Sequence, residues 1–167
     1  VSAEVDERAL HELYLRPFEI AVKEGAPSTV MCSYNRINGV YASENRMLLT
    51  RILREQWGFD GLVMSDWGAV YRRPAGVAAG LALEMPSSGG VTDREIVRAV
   101  RAGRLDEAAL DALCARVLRL ALAHAPQRKK AYPAPVHNVA AVRRMLDRHH
   151  ALAVRAARES AVLLKNE

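Results

Sequence analysis

The chain has 167 residues, half of them apolar, and a formal net charge of +5 from 24 basic and 19 acidic side chains. That supplies apolar material for a core, while acids interleaved with the arginines leave no basic stripe set with aromatics, which argues against a nucleic-acid partner. No apolar run approaches the roughly 18–20 residues of a membrane-spanning helix, and two unspaced cysteines, Cys32 and Cys114, suggest neither a disulfide framework nor a zinc site and read as buried thiols.

The first predicted element is a helix over "VDERALHELYLRPFEIAVKEG". Asp6 is its expected N-cap and Gly25 its C-terminal stop, with Pro17 kinking or restarting it. "STVMCSY" (28–34) then reads as a short buried strand, and "NRINGVYA" as a loop turning at Asn38-Gly39. Ser43 is expected to cap a helix whose stripe is Met47, Leu48, Ile52, Leu53 and Trp57, ending at Gly58. "LVMS" (62–65) is a second buried strand. Helix, strand, helix, strand with short turns implies a parallel α/β sheet, in a barrel or an open doubly wound form.

Past Asp66 the pattern changes to a short helix or turn, an apolar segment and a Pro/Ser/Gly break. Thr92 and Glu95 suggest a capping box for a helix to Gly103. Asp106 opens another, with Leu110, Leu113, Val117, Leu120 and Ala121 on one face. "PQRKKAYPAPVHN" (126–138) is the linker candidate, followed by a helix and a strand "VLL" (162–164). Two strands cannot close a barrel, which takes eight strands and about 250 residues. The chain therefore reads as the end of one domain (1–125), a linker (126–138) and the start of another (139–167). It opens on Val1 and not Met, so a leader is not assessable and localisation, cytoplasmic or secreted, stays open.

In parallel α/β folds the working residues sit just past the C-terminal ends of strands. Two such positions occur, Ser33-Tyr34-Asn35 and Ser65-Asp66-Trp67. If the strands are neighbours, Tyr34 and Asp66 emerge on one rim, where the phenol can donate to the carboxylate and hold it ionised. An indole beside them offers a stacking face for a sugar ring, and this trio suits glycoside chemistry. From spacing alone the other reading stays open, with Asp66 capping the next segment and Trp67 in the core. Other candidates are weaker: "HELYL" (11–15) has Leu15 where a zinc site needs its second histidine, His149-His150 lies on a charged helix, and Glu84 suits a salt bridge or cap. No metal or cofactor is expected.

The ordered blocks add a resemblance. "VMCSYNRINGVYASENRMLLTRILREQWGFDGLVMSDWGAV" (30–70) resembles glycoside hydrolase family 3, the β-glucosidase family, and "VDERALHELYLRPFEIAV", "AAGLALEMP" and "ARESAVLLKNE" resemble its successive blocks. The resemblance implies the C-terminal part of a (β/α)8-type barrel followed by an α/β sandwich domain. It implies Asp66 as catalytic nucleophile, Trp67 as the aromatic packing on the sugar, and Tyr34 and Met31 as lining the same subsite. It also implies a retaining, exo-acting enzyme that removes terminal β-D-glucosyl, or xylosyl, residues from β-linked oligosaccharides or aryl and alkyl β-glycosides. The acid/base Glu would come from the later domain, beyond Glu167, and the sugar-binding Lys-His-Phe block would precede Val1. The family's usual Asp in "AGLDLEMP" is Ala82 here, read as a lost structural acid. Two alternatives accompany this expectation: a truncated, non-catalytic fragment of the same fold, and the family's N-acetylglucosaminidase branch. The 167 residues alone are expected to be inactive.

Overall fold

The computed structural model describes residues 1–131, 139–162 and 165. The chain divides into two compact units, Val1–His124 and Ala125–Glu167.

In the first unit, β1 (Ser2–Ala3) precedes a helical run made of α1 (Glu7–Ala9), a π-wound turn (Leu10–Leu15) and α2 (Arg16–Gly25). The Asp6 carboxylate accepts from the Ala9 amide at 2.9 Å, the expected N-cap. Pro17 has no amide to give, and the helix restarts there, directly after the π turn. The left-handed stop is Ala26, with φ 43°, and not Gly25, which stays helical.

β2 (Thr29–Cys32) and β5 (Leu62–Ser65) are parallel neighbours in the register Thr29↔Leu62 to Cys32↔Ser65. Leu83 forms an isolated parallel bridge to Met64 on the other side of β5, so the apolar segment before Pro86 runs alongside the pair. The polar stretch after β2, expected as a loop, is a tight hairpin of β3 (Arg36–Ile37) and β4 (Val40–Tyr41), with β3 also parallel to β1. Asn38 and Gly39 both have positive φ, the geometry a two-residue hairpin turn needs.

A 3₁₀ turn (Ala42–Glu44) leads into the π-wound helix Met47–Gln56. Ser43 does not cap it: its hydroxyl donates to the Ala69 carbonyl, and Asn45 Oδ1 takes the Leu48 amide instead. α3 (Arg73–Ala79), α4 (Val91–Arg101) and α5 (Glu107–Ala131) follow. The Thr92–Glu95 capping box does not form, because α4 begins at Val91 and the Thr92 amide bonds to Ser88 Oγ. Asp106 does cap α5, accepting from Ala108.

Two apolar clusters hold this unit. One joins Val22, Cys32, Leu49, Leu53, Val63 and Leu81, filling the space between α2, the β2–β5 pair and the π-wound helix. The other gathers Val77, Ile96, Ala99, Leu105 and Leu113 from α3, α4, α5 and the turn between the last two, with Ala82 packed on it. Arg54 pins the entry to β5, donating to the carbonyls of Phe59, Gly61 and Gly80. Desolvation, with the nearby Arg116, lowers its pKa to about 10. Of the two thiols, Cys32 is buried as expected, but Cys114 is exposed on α5, because the buried stripe there runs through Leu113.

Of the segment 126–138 expected as a linker, residues up to Ala131 continue α5, and 132–138 lie outside the described residues. In the second unit, α6 (Val139–Ser160) is the expected helix. Of the strand expected at 162–164, Val162 is not in a strand and the rest lies outside the described residues.

Gly61 is where the parallel pair is most sensitive. A Cβ there would sit inside van der Waals contact of the Ser28 carbonyl oxygen and 2.6 Å from Phe59 Cζ. That carbonyl accepts the Leu62 amide at 3.0 Å, the bond that starts the β2–β5 ladder, so it cannot retreat. Gly61→Ala is expected to cost about 2–4 kcal/mol, read as a lower urea midpoint with unchanged m-value.

Candidate active site

The register fixes the site. Because Cys32 pairs with Ser65, both strands end at one level, and the ladder runs one bond further, from the Asp66 amide to the Cys32 carbonyl at 3.1 Å. Val30 and Cys32, with Val63 and Ser65, form one pleat face, where Cys32 and Val63 join the apolar cluster. Met31 and Met64 pair on the other face, and Asp66, two residues past Met64, continues it. Met31 stays 58% exposed and Asp66 half-buried.

Five residue pairs brace the loop after β5. The buried Ser65 hydroxyl accepts the Met85 amide at 2.8 Å and donates to the Met85 carbonyl at 3.3 Å. That carbonyl also takes the Gly68 amide at 3.0 Å, and Gly68 has φ 75°, a turn that glycine adopts without strain. The Ala69 amide closes back on the Asp66 carbonyl, while the Ala69 carbonyl takes the Ser43 hydroxyl at 2.8 Å. Glu44, with 2% of its side chain exposed, accepts from the Arg72 amide at 2.8 Å and from its Nε at 2.9 Å. The loop therefore leaves the strand on a fixed path.

Asp66 Oδ1 accepts the Trp67 amide at 2.7 Å. It caps no helix, since α3 starts only at Arg73 with Arg72 at the N-cap position. The Tyr34 phenol is pushed above its ordinary value, first by desolvation and then by the neighbouring Asp66 carboxylate. The two strand-end residues thus stand on one rim, as the spacing suggested. Trp67, read in the alternative as core, is instead 67% exposed. Burial pushes the Cys32 thiol up, with the Asp66 charge acting the same way, so it stays protonated and is no rival nucleophile.

Sequence reasoning missed the bracing set of Ser43, Glu44, Ser65 and Met85. "ASEN" reads locally as a helix start, and its long-range role shows only once the loop after β5 folds over it. Glu84 is structural: it lies 3.7 Å from buried Arg73 and accepts from the Thr92 hydroxyl. The described residues contain no group of three His, Cys, Asp or Glu side chains able to hold a metal ion.

The C-terminal rim of the parallel pair thus carries a carboxylate, a phenol and an indole. Residues 1–120 match the glycosyl hydrolase family 3 N-terminal domain, and the chain belongs to that family. It is 48% identical over 163 residues to thermostable beta-glucosidase B of Acetivibrio thermocellus, covering 98% of this chain and 20% of that protein. It is 46% identical, over its whole length and 21% of the relative, to an exo-alpha-(1->6)-L-arabinopyranosidase of Bifidobacterium breve. Among solved structures it superposes on a Bifidobacterium adolescentis family 3 beta-glucosidase with TM-score 0.78 and 45% identity, over 100% of this chain and 23% of that one. Beta-glucosidase 3B from Thermotoga neapolitana, in complex with glucose, gives TM-score 0.77 and 38% identity with the same coverage. The chain spans about a fifth of the length of these relatives.

The Tyr34–Asp66 contact predicts a titration. A phenol whose folded pKa lies above its ordinary value contributes stability that is present below about pH 10 and lost as pH rises through the folded value. In NMR titrations with ring-labelled tyrosine, Tyr34 should titrate above the ordinary range. Asp66→Asn should move it down part of the way, leaving the desolvation component. An unchanged Tyr34 in that variant would mean the two groups do not interact.

Proposed function

We propose that the protein carrying this chain is a retaining, exo-acting β-glycosidase, and that Asp66 is its nucleophile. The observation that carries the reading is Asp66 at the end of β5, half-buried, oriented through Oδ1 by the Trp67 amide and facing the Tyr34 phenol. With Oδ1 held, Oδ2 is the oxygen aimed at substrate. Family membership and the beta-glucosidases among its relatives support a terminal β-D-glucosyl residue as the glycone, with xylosyl next. Residues 1–125 then form the C-terminal part of a (β/α) barrel catalytic domain, and 139–167 open a sandwich domain.

In this reaction a terminal sugar sits against the Trp67 face, with Tyr34 and Met31 along the same subsite. Asp66 attacks the anomeric carbon as the aglycone oxygen leaves with a proton from a carboxylic acid, giving a covalent glycosyl-enzyme. Water then attacks the same carbon, deprotonated by that second carboxylate, and releases sugar with net retention. On the family pattern the second carboxyl stands later in the protein, about 5–5.5 Å from Asp66 in the assembled site. Tyr34 works throughout as a neutral donor, its raised pKa keeping the proton on the phenol at any ordinary working pH. It holds the carboxylate in position before attack and stabilises it again when the intermediate breaks down.

In the full protein, Asp66→Gly should lower kcat on an aryl β-glucoside by about 10³-fold or more. Azide should restore part of the rate through the space left by the carboxylate and yield the α-glucosyl azide. Wild-type activity in that variant would end the nucleophile assignment. A panel of aryl glucosides, xylosides, α-L-arabinopyranosides and N-acetylglucosaminides identifies the glycone.

A further inference from the structure

Asp66 takes its orientation from a four-residue turn. The Ala69 amide donates to the Asp66 carbonyl at 3.2 Å and closes the turn over Trp67 and Gly68. Gly68 holds its third position with φ 75°, the left-handed backbone that glycine or asparagine supplies there. Within the turn the Trp67 amide donates to Asp66 Oδ1 at 2.7 Å. The direction of that N–H follows from the turn, and the carboxylate follows the N–H.

Two distant parts of the chain hold the turn from outside. On one side the Gly68 amide reaches the Met85 carbonyl at 3.0 Å. On the other, the Ala69 carbonyl accepts the Ser43 hydroxyl at 2.8 Å, across 26 positions of sequence. Ser43 and Ala69 are each 1% exposed, so water does not compete for this bond. Ser43 is also spared any duty to its own helix, because Asn45 Oδ1 takes the Leu48 amide. A buried hydroxyl costs desolvation, and here the bond that offsets it is spent on the loop carrying Asp66.

Resting on the reading of Asp66 as nucleophile, we infer that Ser43 is a positioning residue for the reaction: through Ala69 and the turn it fixes the Trp67 amide, and with it the angle at which the Asp66 carboxylate meets the anomeric carbon. Stacking of a sugar on an exposed indole tolerates small shifts. Bond formation does not, and a displacement of about 1 Å at a reacting group can cost about 10²-fold. Ser43 therefore acts on the rate of attack and not on ground-state binding.

The test uses the full protein with Ser43→Ala, which removes the hydroxyl and adds no bulk. With a 2-deoxy-2-fluoro-β-glucosyl donor, the limiting rate of glycosyl-enzyme formation should fall about ten- to hundredfold while glucose affinity stays within about twofold. The same substitution is then made in Asp66→Gly with azide as the nucleophile. Azide is not aimed by the turn, so Ser43→Ala should change that azide-dependent rate by less than about twofold. A second pair of variants does not depend on how Ser43→Ala folds. A Cβ at residue 68 meets nothing within 4 Å, so Gly68→Asn and Gly68→Val differ chiefly in tolerating the left-handed backbone. Gly68→Asn should stay within about threefold of the wild-type rate, and Gly68→Val should repeat the Ser43→Ala loss. Hydrogen exchange of the Trp67 and Ala69 amides, read by mass spectrometry, should accelerate in Ser43→Ala and Gly68→Val and needs no turnover. An unchanged rate in Ser43→Ala, or an equal loss with and without the Asp66 carboxylate, overturns the inference. Accelerated exchange in Ser43→Ala beside wild-type activity in Asp66→Gly would overturn the nucleophile reading, and the catalytic role with it, while establishing the Ser43 hold on the turn.

Discussion

The parallel register of two four-residue strands governs the site. Cys32 opposite Ser65 sets both strand ends at one height, and the extra bond from the Asp66 amide to the Cys32 carbonyl carries the alignment one residue past the sheet. A slip of one residue would reverse the pleat and turn Asp66 toward the apolar cluster around Val63, where an ionised carboxylate is strongly disfavoured. The core therefore protects the register, and the register positions the carboxylate. Gly61 belongs to the same constraint, because only a residue without a Cβ lets the chain enter β5 this close to the Ser28 carbonyl.

Around that frame the loop after β5 is held by groups far away in sequence. Ser65 grips Met85, Ser43 grips Ala69 and Glu44 grips Arg72. None of these polar side chains needs to touch a sugar. They cost desolvation, and hydrogen bonds to backbone groups offset it, so that Asp66, Trp67 and Tyr71 leave a stiff support.

Much of this was legible in the sequence. The end of β5 at Ser65, the Asp6 and Asp106 caps and the shared rim of Tyr34 and Asp66 followed from short apolar runs and their flanks, whereas the first strand, read as 28–34, ends at Cys32. Local pattern failed where distant partners decided. Ser43 looks like a helix cap but serves Ala69, and Thr92 loses its capping role to Ser88. "NRINGVY" reads as loop because its strands are two residues long, too short for periodicity to register, and they exist only because β1 pairs alongside. Cys114 sits one residue from the buried Leu113, and a rotation of about 100° on the helix carries it to the surface.

The central claim is that Asp66 forms a covalent bond to sugar. The direct measurement is to incubate the full protein with a 2-deoxy-2-fluoro-β-glucosyl donor bearing a good leaving group, which forms the glycosyl-enzyme but slows its hydrolysis. Digestion and mass spectrometry then locate the label. The account predicts one fluoroglucosyl ester, on the peptide containing "LVMSDWGAV" and fragmenting to Asp66. A label on any other carboxylate, or inactivation of an Asp66→Asn variant at the wild-type rate, would contradict it.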